Sequence, residues 1–137
     1  NRLQLVDLPG YGYAAAPKIN IKAWTGLTCT FLAMRPSLQR VFLLIDSRRG
    51  VGRSDEDIMQ VLDDAAVSWA VVLTKSDKLK PVQIDKTVEN THTKIRRHVA
   101  AYPEIFITSS ETKNGMEYLR AHMAGFAVPK FNHSSYT

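Results

Sequence analysis

Trp69-Ala70-Val71-Val72-Leu73-Thr74-Lys75-Ser76-Asp77 is the stretch on which the reading of this chain turns. Its five leading apolar residues are too few for a helix and read as a strand buried on both faces, the usual state in a parallel sheet. The run then stops at four polar residues, which places them at the carboxyl edge, where open α/β sheets collect their ligands. The same design recurs in both directions. Upstream, Val41-Phe42-Leu43-Leu44-Ile45 closes on Asp46, and Leu3-Gln4-Leu5-Val6 closes on Asp7 before the turn residues Leu8-Pro9-Gly10. Downstream, Ile105-Phe106-Ile107 ends in Thr108-Ser109-Ser110.

Helical patterns lie between these strands. Ile21, Trp24, Leu27, Phe31 and Met34 recur at spacings of three or four and give one apolar face, ended by Pro36. Ser54 with Asp57 three residues on resembles a capping box for a helix that buries Ile58, Val61, Leu62 and Ala65. Pro81 opens a longer helix with Ile84, Val88, Ile95 and Val99 inward, and Gly115 precedes a last helix with Leu119, Met123 and Phe126 on one side. Strand and helix alternate four times, so the class is α/β with a parallel sheet. The polar residues from Pro129 onward show no periodicity and read as a tail.

The 137 residues make one domain. A hydrophobic content of 45% and a charged content of 23% are those of an ordinary soluble protein, and no apolar run approaches the roughly 20 residues of a membrane helix. Eighteen Lys and Arg against thirteen Asp and Glu give +5, a mild bias toward an anionic partner such as nucleic acid. The single cysteine, Cys29, excludes an internal disulfide and a cysteine-based zinc site. His92, His98, His122 and His133 lack metal-ligand spacing and read as surface or core residues.

The chemistry concentrates at the strand ends. A guanine base presents N1–H and an exocyclic amine side by side, and the Asp77 carboxylate can accept both, whereas adenine offers no such pair. Lys75 can lay its methylene stem over the base, and Thr74 can hold the loop through its hydroxyl. Backbone amides at Ser109 and Ser110 can reach the base carbonyl oxygen. Asp7 is placed to meet a hydrated Mg²⁺, and the bare backbone of Gly10 to approach a terminal phosphate. Each piece has an ordinary alternative: a capped helix start, a Ser pair, a Pro-Gly turn. Their order after successive strands carries the weight.

Asp7-Leu8-Pro9-Gly10-Tyr11-Gly12-Tyr13-Ala14, Thr74-Lys75-Ser76-Asp77 and Thr108-Ser109-Ser110 resemble the third, fourth and fifth signature motifs of Ras-like GTPases, and more narrowly those of the EngB (YihA/YsxC) family of ribosome-assembly GTPases. Leu44-Ile45-Asp46-Ser47-Arg48-Arg49-Gly50 and Val71 to Lys75 are similar to the family's fourth and fifth strands. The resemblance runs from about Leu3 to about Met123. It implies a Ras-like three-layer fold with a mainly parallel sheet, here an incomplete domain of about four strands and four helices over residues 1–128, with 129–137 as tail. It implies GTP and GDP with Mg²⁺ as ligands. Asp7 would hold the metal through water and Gly10 would touch the γ-phosphate. Thr74, Lys75 and Asp77 would hold guanine, with Ser109 and Ser110 closing over it. Tyr11 to about Pro17 would form a switch. The implied partner is the large ribosomal subunit, both rRNA and assembly proteins. The implied setting is a monomer off the membrane, in a bacterial cytoplasm or an organellar matrix.

Two parts of that pattern are not in these residues. No Gly-x-x-x-x-Gly-Lys-Ser/Thr loop occurs, and no switch-one threonine precedes Leu3. The chain therefore reads as the C-terminal part of a GTPase, not expected to hydrolyse GTP by itself. Tyr11 stands where Ras-type enzymes place a water-orienting glutamine, so no residue is assigned as catalytic. A rival reading is a non-hydrolysing docking module on a ribonucleoprotein. Another is a receiver-like phospho-acceptor domain, which needs adjacent acids after its first strand and a lone Lys after its last. Lys94, Arg97 and His98 on the long helix, with Arg48, Arg49 and Arg53 in a loop, read as RNA phosphate contacts or as a solvated basic face.

Overall fold

Trp69–Thr74 is the middle strand of a three-stranded parallel sheet. The computed structural model describes residues 3–7, 26, 28, 30–32 and 34–127. Within them the elements run β1 (Val41–Asp46), α1 (Arg53–Asp64), β2 (Trp69–Thr74), a 3-10 turn (Ser76–Lys78), α2 (Pro81–Ile95), β3 (Phe106–Ile107), α3 (Met116–Ala124) and a second 3-10 turn (Gly125–Ala127). Helical residues also precede β1, at Gly26, Thr28 and 30–32. The strands lie in the order β1-β2-β3, with Asp46 level with Thr74 and Leu73 level with Ile107. All three therefore deliver their polar ends to one edge.

Side chains alternate across the pleat, so each strand feeds two cores. Leu43, Ile45, Trp69, Val71 and Leu73 face Ile58, Met59 and Leu62 of α1 and Ile95 of α2. Ala70, Val72 and Phe106, with Phe42 beside them, face Leu119 and Met123 of α3. The result is helix, sheet, helix: a three-layer α/β fold. Trp69, Ile58, Met59 and Leu62 are completely buried, and each such side chain contributes about 1.5–3 kcal/mol by leaving water. Among the described residues no helix is long and apolar enough to cross a membrane.

Several sequence expectations are corrected here. Residues 3–7 form no strand, and Leu3, Leu5 and Val6 are exposed, Leu5 at 73%. A strand exists only where a neighbour supplies hydrogen bonds, and no described residue pairs with 3–7. The sheet accordingly has three strands among the described residues where four were expected. The cap of α1 is Gly52 rather than Ser54: the Asp55 carboxylate accepts the Gly52 N–H at 2.7 Å. Ala65, expected inside, is exposed at the C-cap, and Met59 takes a buried place instead. Helix α2 ends at Ile95, which leaves Val99 92% exposed. Met34 is likewise exposed, beyond the described helical residues. The expectations for Ile21, Trp24, Leu27 and the 129–137 tail lie outside the described residues.

Helix α3 is pinned by a ring of aromatics around His122, with Phe106 4.8 Å and Tyr102 5.0 Å away between ring centroids. His122 Nε2 lies 2.6 Å from the Arg40 guanidinium, which stacks over Tyr102. A guanidinium only donates, so Nε2 accepts and the imidazole is neutral. Burial, followed by the Arg40 charge, pushes the His122 pKa below the ordinary value, with Glu104 opposing weakly. As pH falls below about 6.5 the unfolded chain takes up this proton before the folded one does. The stabilisation is thus whole at neutral pH and declines as pH drops through the folded value. Melting temperature should fall between pH 7 and 5 more steeply in the wild type than in His122→Gln. Parallel curves would remove His122 from the account.

Candidate functional site

The edge where β2 and β3 end is tied together before any ligand is considered. Thr108 N–H and Thr108 Oγ1 both donate to the Leu73 carbonyl, at 2.8 and 3.2 Å. Ser76 N–H donates to the Thr108 carbonyl at 3.1 Å, which fastens the 76–78 turn to the residue after β3. Thr108 and Ser109 are buried, as is Ser76. Two distant stretches of sequence, 74–77 and 108–110, thereby share one rigid edge.

Lys75 is forced into the left-handed region, with φ +57°, at a cost of about 1–2 kcal/mol for an L-residue. Such strain persists only where the surroundings over-determine it, and it gathers at ligand sites. Here the Lys75 carbonyl accepts the Lys78 N–H at 3.0 Å. The turn that follows presents Asp77. Ser109 Oγ donates to Asp77 Oδ1 at 2.8 Å and itself accepts the Thr112 N–H. That hydrogen bond is the chief reason the Asp77 carboxyl sits below the ordinary carboxylate range, so it is ionised at neutral pH. Lys78 Nζ stands 3.7 Å from Asp77 Oδ2. The loop beyond closes on itself through Ser109 N–H to the Asn114 carbonyl, and Gly115 then turns the chain into α3 at φ +74°.

The expected base residues Thr74, Lys75, Ser76, Asp77, Thr108, Ser109 and Ser110 thus stand on one edge. Ser110 is exposed there. Ser109 is fully buried, and its hydroxyl orients Asp77. Thr74 Oγ1 points back toward the Ile45 carbonyl at 3.4 Å. The phosphate and metal side is different. Leu8, Pro9, Gly10 and the proposed switch from Tyr11 to Pro17 lie outside the described residues. Asp7 is an exposed acid outside any helix or strand, and among the described residues no three His, Cys, Asp or Glu gather within reach of one ion. A lone exposed carboxylate is not the octahedral oxygen set that Mg²⁺ demands, so these residues do not by themselves fit the metal.

The basic residues are also rearranged. Arg48 grips Asp46, and Arg49 donates to the buried Asp55 at 2.8 Å. Lys94 Nζ donates to the Val51 carbonyl. His98 lies past the end of α2 and turns inward to Asp63. Of the six residues expected on a basic face, Arg53 and Arg97 are exposed without an ion pair to a described acid. The Asp46–Arg48 pair was missed as a pair. Its signal was an acid at a strand end with an Arg two residues on.

No family model matches the chain. Its relatives are unambiguous. It is 49% identical over 127 residues, 93% of its length, to "Probable GTP-binding protein EngB" of Rhodospirillum rubrum. By sequence this chain is similar to proteins named EngB. The identically named protein of Bartonella tribocorum is 55% identical over 117 residues, and that of Rhizobium meliloti 50% over 119. The chain spans about half, 55%, of the length of each of these EngB relatives. In three dimensions this chain is similar to the translation elongation factor SelB of Methanococcus maripaludis in its apo form, with a TM-score of 0.67 over 91% of this chain and 25% of that one. At 18% identity that likeness is one of fold.

Proposed function

We propose that the protein carrying this chain binds guanine nucleotides, with the base at the edge formed by residues 74–77 and 108–110. We propose further that it works as a GTP-dependent factor in assembly of the large ribosomal subunit. The observation that carries the base site is the Ser109–Asp77 hydrogen bond, which holds an ionised carboxylate at the end of β2 beside a strained Lys75. An acid so held can accept the N1–H and the exocyclic amine of guanine together, and adenine offers nothing to match. The EngB relatives at about half identity are named GTP-binding proteins, which supports the same ligand. The ribosomal partner rests on the resemblance to EngB, with the charge of +5 as weak support. A monomer in a bacterial cytoplasm or an organellar matrix belongs to the same proposal.

Isothermal titration of GDP, GTP and ATP into the full-length protein tests the base site. Wild type should bind the two guanine nucleotides and ignore ATP. Asp77→Asn replaces an acceptor by a donor facing N1–H and should cost about 2–5 kcal/mol, a loss of thirtyfold or more in affinity. Equal binding by mutant and wild type would remove Asp77 from the site.

A second reading is the docking module. A full-length protein that binds none of the three nucleotides yet co-sediments with large ribosomal subunits would establish it over the GTPase.

A further inference from the structure

Asp46 ends β1 level with Thr74, one residue short of the strained Lys75. It is the most heavily engaged carboxylate on this edge. Arg48 Nε and NH2 donate to its two oxygens at 3.1 and 2.7 Å, a fork that fixes both planes, and Arg48 N–H adds a third bond at 3.0 Å. Lys75 Nζ stands 3.5 Å from Asp46 Oδ2. The side chains of both cations are about half exposed, Arg48 at 51% and Lys75 at 54%, so solvent leaves them free to swing if released. Asp46 is level with Thr74 in the paired strands, and Asp77 lies three residues beyond Thr74, so the two acids stand at the same edge of the sheet. Asp77 already has Ser109 on one oxygen and Lys78 beside the other.

We infer that Asp46 is a positioning residue for base recognition: it holds Arg48 and Lys75 to itself, so that the Asp77 carboxylate stays open to the N–H donors of the base. This rests on the guanine-site reading above. Without the Asp46 charge, Arg48 loses its partner and the remaining acid on that edge is Asp77. A guanidinium on Asp77 takes up the acceptor capacity that the base requires. The exocyclic amine, the second of two donors converging on one carboxylate, is the contact that crowding removes first. Asp46 thereby sets selectivity for a two-donor base without touching it.

The test compares GDP with inosine diphosphate, which keeps N1–H and lacks the amine, and with ADP, on the full-length protein. In Asp46→Asn the affinity for GDP should fall about fivefold, the scale of a half-exposed ion-pair network, while that for inosine diphosphate falls less. The GDP preference should therefore shrink. Adding Arg48→Gln to Asp46→Asn should restore it, and Arg48→Gln alone should leave GDP binding as in wild type. A merely structural role would lower both nucleotides equally and gain nothing from the second substitution; that result overturns the inference, as does unchanged GDP binding in Asp46→Asn. Wild type that fails to prefer GDP over ADP would instead refute the guanine site itself.

Discussion

Gly115→Ala should lower the melting temperature by about 10 °C or more, the equivalent of at least about 3 kcal/mol for a domain of this size. Two costs combine. Gly115 has φ +74°, a conformation an L-residue enters at about 1–2 kcal/mol. A Cβ there would stand 1.9 Å from the Ile107 carbonyl oxygen and 3.1 Å from its carbon. Those are backbone atoms of β3, so relief requires the helix start or the strand to shift. The shift would be felt upstream, because Asn114 accepts the Ser109 N–H and Ser109 orients Asp77. Hydrogen exchange at Ser109 and Thr112 should accelerate in the variant. A melting curve displaced by less than about 2 °C, with those amides still protected, would contradict the close packing of Gly115 on β3.

Asp63→Ala should destabilise by about 3–5 kcal/mol in urea denaturation. The Asp63 side chain is 7% exposed and accepts three bonds, from Trp69 Nε1 at 2.9 Å, Ala100 N–H at 3.1 Å and His98 Nδ1 at 2.6 Å. Each donor comes from a different place: the start of β2, the segment after α2, and the turn that ends that helix. Alanine strands all three in an apolar setting, and an unpaired buried donor costs about 1–3 kcal/mol. Asp63→Asn keeps one acceptor oxygen and should lose roughly half as much. A loss below about 1 kcal/mol for alanine would mean that water replaces the carboxylate freely.

Asp63 also shows where sequence reading reached its end. Val41–Ile45 and Trp69–Leu73 were legible as strands because a continuous apolar run admits few other states, and both formed with one added residue each. The edge proposed for the base was legible as a shared polar edge for the same reason: each polar cluster directly follows a strand. What could not be read is pairing between distant residues. The periodicity carried α2 on to Val99, but Asp63 draws His98 inward and the helix stops at Ile95. Leu3 to Val6 has the pattern of a strand, and a pattern supplies no partner. Arg48 and Arg49 looked solvent-directed because their acids, Asp46 and Asp55, are recognised as partners only once the turn between β1 and α1 is in place. The hydroxyl of Ser109 belongs to this class too, since its partner lies 32 residues earlier.

The strand order β1-β2-β3 carries a consequence for how the molecule comes into being. Each strand lies beside the one that precedes it in the chain, joined through a single helix. Among the described residues β2 and β3 each find a neighbour synthesised earlier, and β1 waits only for the strand that follows it. Assembly can therefore run in the direction of translation, with each strand–helix unit laid onto a surface already present, and the exposure of unpaired strand edges that invites aggregation is brief at β2. The edge carrying Lys75 and Asp77 is sealed last, when Thr108 reaches Leu73 and the loop closes at Gly115. Until Thr108 and Ser109 are in place, Leu73 lacks their tie and Asp77 lacks the hydroxyl that orients it.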